Sequence, residues 1–294
     1  MTTLAHEISD FYTRPGAMTS GGAHAARFDE LPSDVASLVR VVQGLLLHQH
    51  WAHAYGVELS DERRGEAHLR PADRMLERLL AHDGRPLSAA RPPGARLVGN
   101  CRHFTVLLVA LLRAKGVPAR ARCGFGGYFH PDSFMDHWVA EHWNAAEARW
   151  VLVDAQLDDV QRAALNPDFD TLDVPRDRFV VAGDAWARCR AGEADPSKFG
   201  FLDEHGYWFI DGNIVRDAAA LNNMEMLPWD CWGGMSRPNE PHGDERFALF
   251  DRLAALTRSP DASFAELRQR YESDERLRVP PTVFNAVLDR PDPV

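Results

Sequence analysis

The sequence predicts an α+β protein in which a buried helix is followed by the strands of a small antiparallel sheet. Three observations predict this class. Apolar residues at helical spacing fill 101–114, the next segments alternate as strands do, and further helical segments follow only after those strands. Helices and strands grouped in this order are typical of α+β folds, whereas parallel α/β folds alternate them.

Length, composition and charge exclude several function classes. The chain has 294 residues, 45% of them hydrophobic, which suits one large domain or two small ones. The formal net charge of -10 creates a field that repels phosphate backbones, so we expect no nucleic-acid partner. Uncharged apolar runs such as Phe104–Leu112 are shorter than a membrane span, and no signal-peptide pattern opens the chain. We therefore expect a cytoplasmic protein with no membrane partner.

Cysteine usage agrees with a reducing compartment. The four cysteines are Cys101, Cys123, Cys189 and Cys231, and no two of them form a CxxC pair. Four widely spaced cysteines in so long a chain do not make a disulfide framework, and structural zinc sites use closely spaced pairs. Reduced thiols in the cytoplasm are the expected state.

The chain before the central helix is expected to hold two helices. Residues 1–30 are rich in turn formers and are interpreted as an N-terminal arm with a short helix at most. Ser33 is a good N-cap for a helix that runs on to about Tyr55, and a second helix is predicted over 71–82. Residues 83–98 hold three prolines and two glycines, which predicts a loop.

The central helix begins at Cys101. Its residues are apolar on nearly every face, and a helix of that kind lies inside a protein. Gly116 and Pro118 then predict its end.

Strands and further helices follow the central helix. Strands are predicted over 119–124, 137–143 and 149–154, and helices over 158–164, 183–191, 213–221, 247–258 and 263–272. The polar stretch Ser236–Glu245 is the best candidate for a linker. We therefore divide the chain into the arm at 1–30, a main domain at 31–235 and a helical extension at 236–294 that packs on the same domain.

The spacing of two strands predicts a histidine–aspartate pair. If Asn144–Glu147 form a four-residue hairpin loop, Trp143 faces Ala148 and Glu141 faces Trp150. The same register sets His137 opposite Asp154, with Cβ atoms about 5 Å apart. An imidazole and a carboxylate at that separation can form a hydrogen bond.

This pair and Cys101 together have the chemistry of a cysteine nucleophile. A thiol attacks a carbonyl as the thiolate, which the positive end of a helix and a nearby imidazolium both favour. His137 would accept the thiol proton and later protonate the leaving group, and Asp154 would fix the imidazole tautomer. The Cys101 N–H can stabilise an oxyanion.

Other residues near these three are weaker candidates. Gln49, Trp51 and the Asn100 side chain are candidates for a second oxyanion donor. His103 in the first helical turn and Glu141 on the strand of His137 are candidates for tuning or lining the site. Arg102, Arg120 and Arg122 are expected to be solvated, although they can bind an acidic substrate group.

Two further motifs leave alternatives open. The histidines of HQHWAH, His48, His50 and His53, are typical of a metal site, but only His50 and His53 share a helix face and no acidic partner stands at ligand spacing. We therefore predict no metal. Phe125–Phe129, with the sequence FGGYF, forms either an irregular connection or a mobile lid or cleft wall.

Three motifs together resemble the transglutaminase-like superfamily of papain-like cysteine enzymes. They are GNCRHFTVLLVALLRAKGVPAR at 99–120, DHWVAEHW at 136–143 and RWVLVDAQLD at 149–158. The resemblance covers about 95–160 and implies a papain-like core, in which the helix that opens on Cys101 packs on the sheet of His137 and Asp154. It also implies that these three residues form the catalytic triad. One departure is that Trp138 follows His137 directly, where the family often has His-x-Trp.

These observations lead to one functional hypothesis and two alternatives. We expect acyl transfer or hydrolysis at an amide or ester of a peptide, protein or small molecule, through a thioester on Cys101 and without a cofactor. An amide-forming acyltransferase similar to the arylamine N-acetyltransferases has the same triad type. A non-catalytic interaction module of the same fold is the alternative from another class.

Overall fold

The structure is a computed structural model that describes residues 4–294, so the first three residues of the expected arm lie outside it. The helices are α1 (His6–Thr13), α2 (Val35–Leu45), α3 (Asp61–Gly65), α4 (Ala72–His82), α5 (Cys101–Ala114), α6 (Asp159–Leu165), α7 (Ala182–Arg190), α8 (Tyr207–Ala220), α9 (Asp244–Arg258) and α10 (Phe264–Ser273). The strands are β1 (Leu46–His48), β2 (Leu97–Gly99), β3 (Ala119–His130), β4 (Ser133–Asn144), β5 (Arg149–Val153), β6 (Phe179–Val181), β7 (Phe199–Phe201), β8 (Glu204–His205), β9 (Asp230–Cys231), β10 (Thr282–Asn285) and β11 (Arg290–Pro293). The α+β class is therefore confirmed.

The residues form two compact units with discontinuous boundaries. The first unit runs to Ala121 and continues over Val139–Val174, and the second comprises Arg122–Trp138 and Pro175–Val294. Strands β3 and β4 each contribute residues to both units. The domains predicted from the sequence, by contrast, are continuous segments with boundaries at residues 30 and 235. That division stays a prediction.

The first unit is built around α5, which is buried over Cys101–Arg113. Helices α1, α2 and α4 pack against it, and the short parallel strands β1 and β2 lie at its start. Strands β4 and β5 form an antiparallel pair in the same unit. The helix ends as predicted, because Gly116 takes the left-handed conformation, with φ of 75°, that glycine adopts most easily.

The prediction of one long helix from Ser33 to Tyr55 is wrong at both ends. Asp34, not Ser33, caps α2, because its side chain accepts the Ser37 N–H at 2.8 Å. The helix ends at Leu45, after which Leu46–His48 pair in parallel with Leu97–Gly99, and a 3-10 helix follows over Gln49–Tyr55. The partner strand lies in the segment predicted to be a loop, and three residues are too few to show a strand period.

One six-stranded sheet has the order β6-β3-β4-β7-β8, with β5 paired to β4 off this path. The second unit also contains a smaller sheet in the order β11-β10-β9. Helices α7, α8 and α9 pack on one another beside them. The helices predicted downstream of β5 are present, but α8 starts at Tyr207 rather than at residue 213. Within residues 4–294, no helix combines the length and the hydropathy needed to cross a bilayer.

Candidate active site

Cys101 is the first residue of α5, directly behind a well-formed helix cap. Asn100 has extended backbone angles, and its side-chain Oδ1 accepts the Arg102 N–H at 3.1 Å. The thiol-bearing residue is 7% exposed. Because the first N–H groups of a helix have no partner inside it, this turn presents partial positive charge beside the sulfur.

His103 completes the cap. Its Nδ1 accepts the Asn100 backbone N–H at 3.2 Å. Burial, reinforced by the charge of Arg102, holds the pKa of His103 well below its usual range. The ring is therefore neutral at pH 7, and its Nε2–H tautomer has on Nδ1 the lone pair that this hydrogen bond requires. His103 is therefore a capping residue, and its role in tuning the site stays a prediction.

The parallel pair of β1 and β2 brings Gln49 to the same end of the unit as Cys101. His48 pairs with Gly99, so Gln49 and Asn100 are the next residues after the paired strand ends. Gln49 and Trp51 are both half-buried in the 3-10 helix that follows. The pairing of β1 with β2 could not be predicted from the sequence. Because it places Gln49 next to the paired strand ends, it favours Gln49 over Trp51 as an oxyanion donor.

The histidines of HQHWAH are arranged differently from a metal site. The rings of His48 and His50 are 5.7 Å apart, and the His48 Nδ1 accepts the His50 N–H. Burial lowers the pKa of His50. Across residues 4–294, no three His, Cys, Asp or Glu side chains are grouped so that they could hold a metal ion.

His137 lies on β4 among aromatic rings of the second unit. Its imidazole is 2% exposed, and the ring centroids of Phe129, Tyr128 and Phe179 lie 4.9, 5.9 and 6.3 Å from it. All three rings are steeply inclined to the imidazole, at 67–88°. Three aromatic rings thus pack around the base candidate.

Asp136, which precedes His137 on β4, is hydrogen-bonded to α8. Asn213 donates its side-chain N–H to Asp136 Oδ1 at 2.7 Å, and Arg216 donates to Asn213 Oδ1 at 3.0 Å. Burial raises the pKa of the Asp136 carboxyl, which the charge of Arg216 and the Asn213 hydrogen bond partly oppose. This network fixes the strand at His137 in the second unit.

Asp154 follows the last residue of β5 and is 1% exposed. Its N–H donates to the Thr171 carbonyl at 2.9 Å, and its Oδ1 accepts the Gln156 N–H at 3.0 Å. The Gln156 side chain continues the network by donating to Gln161. Gln156 is not among the site residues predicted from the sequence, although an aspartate two residues earlier is the usual signal of such a turn.

The hairpin register predicted from the sequence is wrong by two residues. Trp143 pairs with Trp150 and Glu141 with Leu152, so the argument that set His137 directly opposite Asp154 fails. Asn144 joins the strand and pairs with Arg149, so the loop keeps four residues but moves one position along the chain, to Ala145–Ala148. The Asn144 side chain accepts the N–H groups of Ala146 and Glu147. A shift of two residues keeps each hairpin residue on its predicted face.

The remaining polar candidates are held in buried ion pairs or hydrogen bonds. Glu141 is fully buried and accepts a hydrogen bond from Arg120 at 2.6 Å, while the Arg120 guanidinium lies 3.8 Å from the centre of the Trp150 ring. Arg122 pairs with Asp217. The expectation that Arg102, Arg120 and Arg122 are solvated is wrong, since all three are buried.

Comparison with known proteins agrees with the motifs. Residues 82–155 match the transglutaminase-like superfamily. This match confirms the resemblance, and the transglutaminase-like segment includes Cys101, His137 and Asp154. The match supports a cysteine-enzyme fold, while residues 1–81 and 156–294 lie outside it.

The crystal structure of a "Putative Cysteine Protease" from Cytophaga hutchinsonii is 19% identical to this chain, with a TM-score of 0.33. The alignment covers 60% of this chain and 46% of that one, so this chain spans less than half the length of that protein. No curated protein matches the chain.

Proposed function

We propose that this protein is a cysteine-dependent acyltransferase or amide hydrolase, with Cys101, His137 and Asp154 as its catalytic triad. The observation that carries the proposal is the position of Cys101 at the capped first turn of a buried helix, inside the transglutaminase-like segment. A helix start favours the thiolate, and the buried body of α5 holds the sulfur in place. His137 and Asp154 supply a buried imidazole and a buried carboxylate in the same segment.

The proposed reaction forms and breaks one bond in each half. Cys101 transfers its thiol proton to His137, and the sulfur attacks the carbonyl carbon of an amide or ester. The C–N or C–O bond then breaks, and the leaving group takes the proton from His137. Asp154 stabilises the imidazolium. Water or an amine attacks the thioester in the second half and restores the thiol, with no cofactor required.

Asn100 is the strongest candidate for the second oxyanion donor. Its Oδ1 serves the helix cap, but its Nδ2 is buried and has no hydrogen-bond partner among residues 4–294. An unpaired buried donor is costly unless a ligand completes it. We propose that the Asn100 amide and the Cys101 N–H together bind the oxyanion, and that Gln49 is the next candidate.

The acyl acceptor and the compartment are part of the proposal. An amine acceptor would make the protein an amide-forming acyltransferase, similar to the arylamine N-acetyltransferases, and water would make it a hydrolase. All four cysteines are free thiols, which fits work in the cytoplasm. The substrate would be a peptide, a protein or a small molecule with an acyl group.

Selective labelling of the thiols tests this function. We would treat the protein with iodoacetamide between pH 6 and 9 and map the adducts by mass spectrometry. Cys101 should react first at neutral pH, and His137→Ala should slow that reaction about tenfold or more. Cys189 serves as an internal control, because burial raises its pKa to about 11. His142→Ala, at a second buried histidine of β4, is the matched control variant.

The labelling pattern separates an enzyme from a non-catalytic module. Equal reactivity of Cys101 and the part-exposed Cys231, or an unchanged Cys101 rate in His137→Ala, would overturn the proposed activation. If Cys101 labels selectively, activated esters of different acyl groups are tested next, and a mass increase on Cys101 identifies the acyl donor. Release of that acyl group to water or to an added amine distinguishes hydrolysis from transfer.

A further inference from the structure

An aromatic surface lies beside the proposed base. Tyr128 and Phe129, near the end of β3, are both part-exposed, and their ring centroids are 4.6 Å apart. Phe129 approaches the His137 imidazole to 4.9 Å and Tyr128 to 5.9 Å, centroid to centroid. The two rings therefore contact the base on one side and face solvent on the other.

The two glycines of FGGYF allow these rings to lie against the strand. A Cβ atom on Gly126 would lie 2.7 Å from Phe129 Cε2 and 3.1 Å from Tyr128 Cζ, and one on Gly127 would lie 2.8 Å from Phe134 Cε1. Phe134 in turn stacks on Phe199 at 4.7 Å and an angle of 9°. The motif thus forms a packed aromatic wall within β3 and β4, which favours a fixed cleft wall over a mobile lid.

The geometry points to a substrate whose leaving group is aromatic or large and apolar, recognised by Tyr128 and Phe129. This inference rests on the proposed function. When the sulfur–carbon bond has formed and the carbon–leaving-group bond breaks, His137 gives its proton to the leaving atom. That atom then lies about 3 Å from the imidazole, so the group attached to it reaches the two rings. Aromatic and apolar groups gain most from such contacts, because ring pairs attract beyond the area they bury.

Two esters of one acyl group test this preference. N-acetylglycine benzyl ester and N-acetylglycine 2-methoxyethyl ester share the acyl group and release alcohols of similar acidity. We would measure kcat/KM for each ester and confirm acylation of Cys101 by mass. The wild-type protein should prefer the benzyl ester about tenfold. Phe129→Ala and Tyr128→Ala should each bring the ratio close to one.

The ratio of the two kcat/KM values is independent of the fraction of folded protein, so a poorly folding variant still gives an answer. Phe284→Ala, at a 43% exposed aromatic residue of β10, is the control and should keep the wild-type ratio. A wild-type ratio near one, or a ratio unchanged by Phe129→Ala and Tyr128→Ala, would overturn the inference. If neither ester acylates Cys101, the proposed function itself fails, which is a different result.

Discussion

Asn100 has two chemically separate ends at the start of α5. Its Oδ1 accepts the Arg102 N–H and holds the first turn of the helix. The residue is 4% exposed, and its Nδ2 is buried and lacks a hydrogen-bond partner among the described residues. Capping of the helix requires only Oδ1, and the proposed oxyanion role requires only Nδ2. One substitution can therefore remove the oxyanion donor and keep the cap.

Replacing Asn100→Ser tests the amide nitrogen. Serine caps a helix about as well as asparagine, so the free energy of unfolding should change by less than about 0.5 kcal/mol. Loss of the oxyanion donor should lower the rate of Cys101 acylation about a hundredfold. Urea denaturation and ester turnover are the two measurements. Turnover within about twofold of wild type would exclude Asn100 as the donor and leave Gln49→Ala as the next variant.

His103 makes the stability of the protein depend on pH. Its pKa is depressed in the fold, whereas in the unfolded chain it is about 6.5. Below pH 6.5 the unfolded chain therefore binds a proton that the folded protein does not, and stability is lost as the pH falls. The loss approaches about 1.4 kcal/mol per pH unit for this one group.

The contribution of His103 can be isolated with His103→Asn. Asparagine keeps a side-chain oxygen that can accept the Asn100 N–H but has no group that titrates in this range. Urea denaturation at pH 7.0, 6.0 and 5.5 should show a smaller loss of stability in this variant than in the wild-type protein. His53→Asn, at an exposed histidine, should keep the wild-type slope. Equal slopes in all three proteins would show that His103 titrates normally.

At the scale of elements, the junction of β2 and α5 depends on close packing. A Cβ atom on Gly99 would lie 2.7 Å from His103 Cγ and 2.8 Å from His103 Cβ. Gly99→Ala should therefore displace the His103 ring and break the cap, at a cost of about 1–3 kcal/mol in the free energy of unfolding. Cys101 labelling should also slow, because the first turn of α5 loses its hydrogen bonds.

Gly94 is the matched control for Gly99. It lies in the same connection to α5, and a Cβ atom there would meet nothing within 4 Å. Gly94→Ala should leave both urea stability and the rate of Cys101 labelling close to wild type. If Gly99→Ala behaves in the same way as Gly94→Ala, then the junction tolerates movement and the cap does not control the thiol.

The elements also show where prediction from the sequence works. Helix α4 and the start of α5 were predicted to within a residue, because several apolar residues at one spacing define a helix. Strands β1, β2 and β6 have three residues each, which is too few to show a period, and pairing between distant segments decides them. The hairpin register failed for a local reason, since the Asn144 side chain reorganises the turn.

Some residues of the candidate site could likewise be predicted from the sequence, and others could not. Cys101, His137 and Asp154 could be chosen from motifs, because the chemistry of a nucleophile requires those residue types. The free amide of Asn100 and the capping role of His103 could not, because both depend on hydrogen bonds that only the folded chain defines. Likewise, the sequence left FGGYF open between an irregular connection and a lid or cleft wall. Only the folded chain shows that it belongs to β3 and that its rings pack on its glycines.

At the scale of the whole molecule, each compact unit contains a buried pair of opposite charges. In the first unit it is Arg120 with Glu141, and in the second it is Arg122 with Asp217. Asp217 on α8 accepts two hydrogen bonds from the Arg122 guanidinium and one from the Cys123 N–H. Arg122 also donates to the Thr257 carbonyl of α9, so this pair joins β3 to two helices of the second unit.

Asp217→Asn should consequently destabilise the second unit by about 3 kcal/mol, because it leaves the Arg122 charge buried without its counter-charge. Urea denaturation gives the loss, and native-state labelling of the fully buried Cys123 should accelerate about a hundredfold as the unit opens more often. Glu266→Gln, which removes the exposed pair of Glu266 with Arg252, should cost less than about 1 kcal/mol and leave Cys123 protected. Similar results for the two variants would mean that α8 and α9 are held to β3 by apolar packing rather than by this pair.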